Sequence, residues 1–161
     1  MNDVTALIFD MDGTLALTYS VPNWLNKIEN YDVSPYVEAL PIPEFQEVCD
    51  LVSQFMALGI KIIITSWLSK NSNPEYDEKI RLAKLEWLEK WGFPYDKAHI
   101  IKYGTTKANC TRRLKGEQIL IDDNEKVRKG WKLGRTIDAN QSFINELTTI
   151  LSEILDNRNE N

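Results

Sequence analysis

Apolar residues along the chain occur either in short continuous runs or at helical spacing. The run VTALIF, residues 4 to 9, ends at an aspartate and predicts a buried β-strand. From Pro43 to Gly59, apolar side chains recur every three or four residues, which predicts a helix. This helix leads into the run IKIIIT, residues 60 to 65, a second predicted strand. Strand, helix and strand in this order predict a parallel βαβ unit.

The same alternation continues to the end of the chain. It predicts an α/β fold, a three-layer sandwich with a mainly parallel, Rossmann-like sheet and right-handed crossovers. At 161 residues the chain has the length of one domain, so we expect a single domain over residues 1–161. The further predicted elements are a helix over 74–92 with Tyr76, Ile80, Ala83, Trp87 and Trp91 on its apolar face, a strand at 98–102, a short helix over 105–116 capped by Thr105 or Thr106, a strand at 118–123, a helix near 125–132, a short strand near 135–137 and a closing helix over about 141–155.

Composition and charge restrict the class of partner. The chain is 43% apolar and 27% charged, which is typical of a globular protein. Its net charge of −5 gives no general attraction to nucleic acid, so we expect a small substrate rather than a long nucleic acid, although a local basic patch is compatible with this total. No apolar run approaches the roughly 20 residues of a membrane span, and residues 1 to 10 lack the features of a signal peptide. We therefore expect a cytoplasmic protein without a membrane partner.

Acidic and hydroxyl side chains follow three of the predicted strands where each strand ends. Carboxyl ends of parallel strands meet at one sheet edge, so we expect these side chains to lie together. One acid pair alone is more often a turn or cap, but two pairs in one place would repel each other unless a cation lay between them. A hard divalent cation with oxygen ligands, Mg²⁺, is the expected one. The side chains are Asp10 and Asp12, Thr65 and Ser66, and Asp122 and Asp123.

The sequence resembles the haloacid dehalogenase-like (HAD) phosphatase superfamily over roughly residues 5 to 138. Four motifs match in order: DMDGT at residues 10 to 14, Thr65 after IKIII, Lys107, and the acid pair in ILIDD. The resemblance implies Mg²⁺-dependent hydrolysis of a phosphomonoester through an aspartyl-phosphate intermediate. It implies Asp10 as the nucleophile and Asp12 as the general acid and base.

The resemblance also implies how metal and phosphate are held. Side chains of Asp10 and Asp122 and the backbone carbonyl of Asp12 would bind Mg²⁺, while Asp123 would hold the metal or its waters. The phosphoryl group would be bound by Thr65, Ser66 and Lys107, and the Lys107 ammonium would also offset its charge. We expect Gly13 to allow a tight turn beside the ion and Thr14 to brace that turn.

Residues 15 to 42 form a short aromatic insert between the first acid motif and the next core helix. In HAD enzymes such inserts form caps that select the substrate, so this one implies a minimal cap and an open site that a second subunit could cover in a homodimer. Its aromatic residues either pack the insert onto the domain, which we favour, or stack on a nucleobase. These residues are Tyr19, Trp24, Tyr31 and Tyr36.

Three functional hypotheses follow. The sequence near Thr65, and the IDD at residues 121 to 123, resemble 5'(3')-deoxyribonucleotidases, so a nucleotide or similar small phosphate ester is the leading substrate, although their larger helical cap is absent. The stretch DDNEKVRKGW resembles polynucleotide 3'-phosphatase domains, the first alternative. The second alternative is a non-catalytic Mg²⁺-binding interaction module.

Two further features lie outside the motifs. His99 is expected to be structural, and the run Arg112, Arg113 and Lys115 is expected to be a solvated face or a contact for a second anionic group.

Overall fold

A computed structural model of the chain describes residues 3 to 160 and contains a five-stranded sheet in which all neighbouring strands are parallel. This arrangement confirms the predicted α/β fold with a parallel sheet. The strand order is β3-β2-β1-β4-β5. The strands are β1 (Val4–Phe9), β2 (Lys61–Trp67), β3 (Lys97–Ile101), β4 (Glu117–Asp122) and β5 (Thr136–Asp138).

Helices cover both faces of the sheet. Leu7 and Phe9 of β1 pack into the larger core with α3 and α6, while Ala6 and Ile8 face the opposite side, towards Trp131 after α5. Burial on both faces explains why these strands are continuous apolar runs rather than alternating ones. The helices are α1 (Trp24–Glu29), α2 (Ser34–Glu38), α3 (Phe45–Ala57), α4 (Pro74–Trp91), α5 (Glu125–Gly130) and α6 (Ile144–Asn159), and 3₁₀ turns lie at Thr18–Ser20 and Lys107–Cys110.

Three predicted boundaries are wrong. The closing helix, expected over about 141–155, spans Ile144–Asn159. Strand β2 continues two residues beyond Thr65, through Trp67, because its end still pairs with β3. The helix predicted over 105–116 is only the 3₁₀ turn Lys107–Cys110, and the side chain of Thr106 makes no capping hydrogen bond. The following carbonyls have other partners: Gln118 Nε2 donates to Thr111 O at 3.0 Å and Leu114 O at 3.2 Å, so these groups serve tertiary contacts instead of a helix.

The insert at residues 15 to 42 folds into α1, α2 and the first 3₁₀ turn. It leaves and rejoins the core at one place, where Ile42 N donates to Leu15 O at 3.0 Å. It is fixed to α4, because the Tyr76 hydroxyl donates to Asp32 O at 2.8 Å and Trp87 Nε1 donates to Ala39 O at 2.7 Å. Within residues 3 to 160, none of the helices has both the length and the apolar character that crossing a membrane requires.

Candidate active site

The strand register brings three of the candidate residues level with one another. Phe9 is paired with Ile64 of β2 and with Ile121 of β4. The next residue in each strand direction is therefore Asp10, Thr65 or Asp122, at the carboxyl edge of the three central strands. Sequence reasoning located this convergence because it depends only on where each apolar run ends.

Lys107 joins the first and last acid motifs. Its Nζ donates to Asp10 Oδ1 at 2.8 Å and to Asp122 Oδ2 at 2.7 Å, and its side chain is 3% exposed. Burial alone lowers the pKa of Lys107, but the two carboxylates more than offset this effect, so the pKa is raised. The lysine is therefore a fixed positive charge beside the predicted nucleophile.

Asp10, Asp122 and Asp123 form a group of three carboxylates that fits a cation. Each offers an oxygen within 4.8 Å of the other two. Burial raises the pKa of both Asp122 and Asp123, and the nearby charge of Asp10 raises each further. A bound cation would reduce this repulsion, and carboxylate oxygens are ligands that Mg²⁺ prefers, so the three residues fit Mg²⁺ by their chemistry.

Asp12 lies outside this carboxylate group, and its side chain has its own partners. Thr18 Oγ1 donates to Asp12 Oδ1 at 2.6 Å, and Lys84 Nζ donates to Asp12 Oδ2 at 2.6 Å. Each carboxylate oxygen thus accepts one hydrogen bond and keeps a further lone pair that can take a proton. The metal contact predicted for Asp12 runs through its backbone carbonyl and stays a prediction.

Lys84 of α4 is a site residue that the sequence analysis missed. Its side chain is 1% exposed, and besides Asp12 it donates to Ser66 Oγ and Trp67 O, both at 2.8 Å. Its Nζ also lies 5.0 Å from the ring centroid of Tyr36. A lysine buried among these partners connects α4, the end of β2 and the insert to the predicted acid and base.

Thr65 and Ser66 lie behind the cavity wall. Both are fully buried, and neither is among the described residues that line the cavity in front of Asp10. The Thr65 hydroxyl has no hydrogen-bond partner within residues 3 to 160, whereas the Ser66 hydroxyl accepts from Lys84. An unpartnered buried hydroxyl level with Asp10 suits a phosphoryl oxygen, but phosphate binding by either residue stays a prediction.

Gly13 is required by the approach of another motif to its backbone. Its φ is +76°, and an added Cβ would lie 2.8 Å from Asp123 Cγ and 2.9 Å from Tyr19 Cε2. A side chain at this position would therefore displace Asp123 from the carboxylate group. Thr14 is fully buried, with its hydroxyl 3.5 Å from both Asp10 Oδ2 and Asp123 Oδ1.

A cavity of about 500 Å³ opens in front of the carboxylates, and we call it the acidic cavity. The insert forms one wall, with the rings of Tyr19 and Trp24 4.8 Å apart. Tyr36 also lines the cavity but is 6% exposed and packs with Tyr76, whereas Tyr31 packs edge-on against Tyr76 away from the lining. The insert thus both packs onto the domain and supplies rings to the cavity.

The fold is shared by a solved structure. It is similar to the D,D-heptose 1,7-bisphosphate phosphatase from Burkholderia thailandensis, with a TM-score of 0.53 and 8% sequence identity. The likeness covers 90% of this chain and 99% of that chain. No protein-family model matches the sequence, and no curated protein does. At this identity the likeness shows the fold alone, which is α/β Rossmann-like and consistent with a HAD-like fold.

The signal for Lys84 was present in the sequence. It lies four residues after Ile80 and three before Trp87, within the apolar stripe of α4. A lysine in a buried stripe requires a charged or polar partner, so it should be read as a candidate for an ion pair with one of the motif acids. Which acid it meets depends on how the insert and α4 pack, and periodicity does not contain that information.

Proposed function

We propose that this protein is an Mg²⁺-dependent phosphomonoester hydrolase that acts through an aspartyl-phosphate at Asp10. The observation that carries the proposal is the contact of Lys107 with both Asp10 and Asp122, beside Asp123 and at the floor of one cavity. A buried nucleophilic carboxylate next to a fixed ammonium and two further acids suits phosphoryl transfer, in which positioning and charge stabilisation provide most of the catalysis.

In the first half-reaction, a carboxylate oxygen of Asp10 attacks phosphorus while the bond from phosphorus to the ester oxygen breaks. Asp12 gives a proton to the departing oxygen, so an alcohol leaves. Lys107, 2.8 Å from Asp10 Oδ1, offsets the negative charge that Asp10 and the phosphoryl group share.

In the second half-reaction, water attacks the phosphorus of the aspartyl-phosphate and passes a proton to Asp12. The bond between phosphorus and Asp10 breaks, which releases inorganic phosphate and restores both residues. Asp10, Asp122 and Asp123 would hold Mg²⁺, which would neutralise negative charge on the phosphoryl oxygens.

The substrate class that we propose is a nucleotide or a similar small phosphate ester. The acidic cavity is large enough for such a molecule, and two pairs of aromatic rings line it, Tyr19 with Trp24 and Trp67 with Tyr103. Aromatic faces stack on any nucleobase.

The experiment is hydrolysis of p-nitrophenyl phosphate with and without Mg²⁺. We expect Mg²⁺-dependent turnover by the native protein and loss of turnover in Asp10→Asn. The matched control is Asp50→Asn, an exposed aspartate on α3 outside the cavity, which should keep full activity. Turnover that survives Asp10→Asn would refute the assignment of Asp10 as the nucleophile.

A panel of nucleoside monophosphates and sugar phosphates then tests the substrate class. A clear preference for sugar phosphates would exclude nucleotides as the substrate class.

A further inference from the structure

The positive charge of the chain is concentrated in one segment. Residues 97 to 135 contain eleven Lys and Arg residues against four Asp and Glu residues, whereas the rest of the chain contains eight against twenty. The net charge of −5, on which the expectation against long nucleic acid rests, is therefore the total of +7 in this segment and −12 elsewhere. An average of this kind says nothing about which polyanion one face of the molecule attracts.

Two elements of this segment lie together on one face of the sheet. The 3₁₀ turn Lys107–Cys110 and helix α5 lie on the sheet face opposite the larger core, where Ala108 and Val127 pack against the cluster that contains Ile8. Several exposed cations of the segment form no ion pair with a side chain of residues 3 to 160. They are Lys102, Arg112, Arg113, Lys115, Lys126 and Lys132.

A groove of about 390 Å³ runs between the 3₁₀ turn and α5, and we call it the basic groove. It is continuous with the acidic cavity, because Trp67, Tyr103 and Lys107 line both. Among the described residues, those that line the basic groove include Lys107 and Lys126 but no Asp or Glu. Since Lys107 is paired with Asp10 and Asp122, Lys126 is the exposed cation that lines this exit from the active site, in contrast to the acids of the cavity itself.

Aromatic rings stand where the groove and the cavity meet. The rings of Trp67 and Tyr103 are 5.0 Å apart, and Tyr103 is 48% exposed. Trp67 is held in place because its Nε1 donates to Thr105 O at 2.9 Å. An exposed ring supported by a fixed one, beside the exposed Lys126, combines the two features that proteins use to stack bases and follow a single-stranded phosphate backbone.

We propose that the basic groove binds a single-stranded nucleic acid whose terminal phosphate enters the acidic cavity. The proposal deepens the proposed function and rests on it for the fate of that phosphate. The strand contacts Lys126 through a backbone phosphate and Tyr103 through a base. A mononucleotide lies in the acidic cavity, which Tyr103 also lines, and does not reach Lys126, so the two substrate classes differ in whether Lys126 matters.

Binding is measured first, on the Asp10→Asn protein, which retains the groove but lacks the nucleophile. Short fluorescent oligodeoxynucleotides that end in a 3'-phosphate, a 5'-phosphate or a hydroxyl distinguish which end is recognised. One backbone contact, at Lys126, gives a slope of about −0.7 for affinity against salt on logarithmic axes, so affinity should fall about two- to threefold between about 50 and 200 mM salt. Affinity that is independent of salt would refute the phosphate contact.

Variants then locate the contact. Lys126→Glu and Tyr103→Ala should each weaken oligonucleotide binding about fivefold or more, while Lys90→Glu, an equal charge change at an exposed lysine of α4, should leave it within about twofold. In the active protein, the same two variants should lower kcat/KM for a phosphorylated oligonucleotide more than for p-nitrophenyl phosphate.

The two proposals fail in different ways. Turnover of p-nitrophenyl phosphate without oligonucleotide binding, or equal binding by Lys126→Glu and Lys90→Glu, would overturn the basic groove alone. Salt-dependent oligonucleotide binding that Lys126→Glu weakens, in a protein that hydrolyses no phosphate ester, would support the groove and refute the proposed function.

Discussion

Replacing Lys84 by Met tests how the candidate acid and base is held. The substitution keeps much of the side-chain length and removes the ammonium, which now donates to Asp12 Oδ2 at 2.6 Å and to Ser66 Oγ and Trp67 O at 2.8 Å. The Ser66 hydroxyl is buried with the lysine, Trp67 is partly buried, and the Asp12 side chain is 16% exposed and keeps its contact with Thr18.

The magnitude follows from these contacts. Removing one partner of a fully buried ion pair costs about 3–5 kcal/mol. Water from the cavity can reach Asp12, which reduces this cost, so we expect Lys84→Met to lower the free energy of unfolding by about 2–4 kcal/mol. For a chain of this length the melting temperature should then fall by roughly 5–15 °C.

The assay is urea unfolding of four proteins: the wild type, Lys84→Met, Asp12→Asn and the double variant. A coupling energy of about 1 kcal/mol or more between the two positions is expected, since the residues are in direct contact. The matched control is Lys90→Met, which removes an exposed lysine from the same helix and should change stability by less than about 0.5 kcal/mol. Equal stability of the Lys84 and Lys90 variants, with no coupling to Asp12, would refute this account of the ion pair.

The same variant has a consequence for turnover. Asp12 without Lys84 keeps only the Thr18 contact, so its carboxylate should rotate away from the position that proton transfer needs. If the protein hydrolyses phosphate esters as proposed, kcat should fall about tenfold or more, with little change in KM, because Asp12 meets the leaving oxygen only as it departs. An unchanged kcat in a folded variant would show that Lys84 has a structural role only.

Three further predictions concern the metal, a glycine and a thiol. Mg²⁺ at one hundred times its dissociation constant should stabilise the native protein by about 2.7 kcal/mol in thermal unfolding, and Asp123→Asn should lose most of this gain; equal stabilisation of both proteins would place the ion elsewhere. Gly13→Ala should cost more stability than Gly59→Ala, because both positions have positive φ but only the first would press a Cβ against Asp123 and Tyr19; equal costs would contradict that close approach. Burial raises the pKa of the Cys49 thiol to about 11, so at pH 8 its alkylation should be about a hundredfold slower in the native protein than in urea; comparable rates would show that the thiol is accessible.

The sequence was sufficient to locate elements whose pattern is local. Strand β1 and the helix starting at Pro74 have the predicted bounds within one residue, because burial on both strand faces and an amphipathic stripe are visible along the chain. Asp10 and Asp122 come together because a parallel sheet brings the ends of its neighbouring strands to one edge. Lys107 reaches both from the 3₁₀ turn.

What escaped prediction depends on packing between distant segments. The helix predicted after Thr106 is a 3₁₀ turn, and the irregular segment after it is fixed by Gln118, further along the chain, whose Nε2 donates to Thr111 O and Leu114 O. Lys84 and Asp12 are 72 residues apart in sequence. Their contact depends on how α4 packs beside the insert and the end of β1. The basic groove was missed for another reason. The net charge of −5 is a sum in which the positive residues 97 to 135 are outweighed by the acidic rest of the chain.

The central claim is that Asp10 becomes phosphorylated during turnover. The most direct measurement is an acid quench of the protein mixed with p-nitrophenyl phosphate and Mg²⁺, followed by peptide mass spectrometry. We expect one added phosphoryl group on Asp10 in the native protein, stable enough in acid to be located, and none in Asp10→Asn. Mg²⁺-dependent release of p-nitrophenol by a native protein that never carries phosphate on Asp10 would contradict the account.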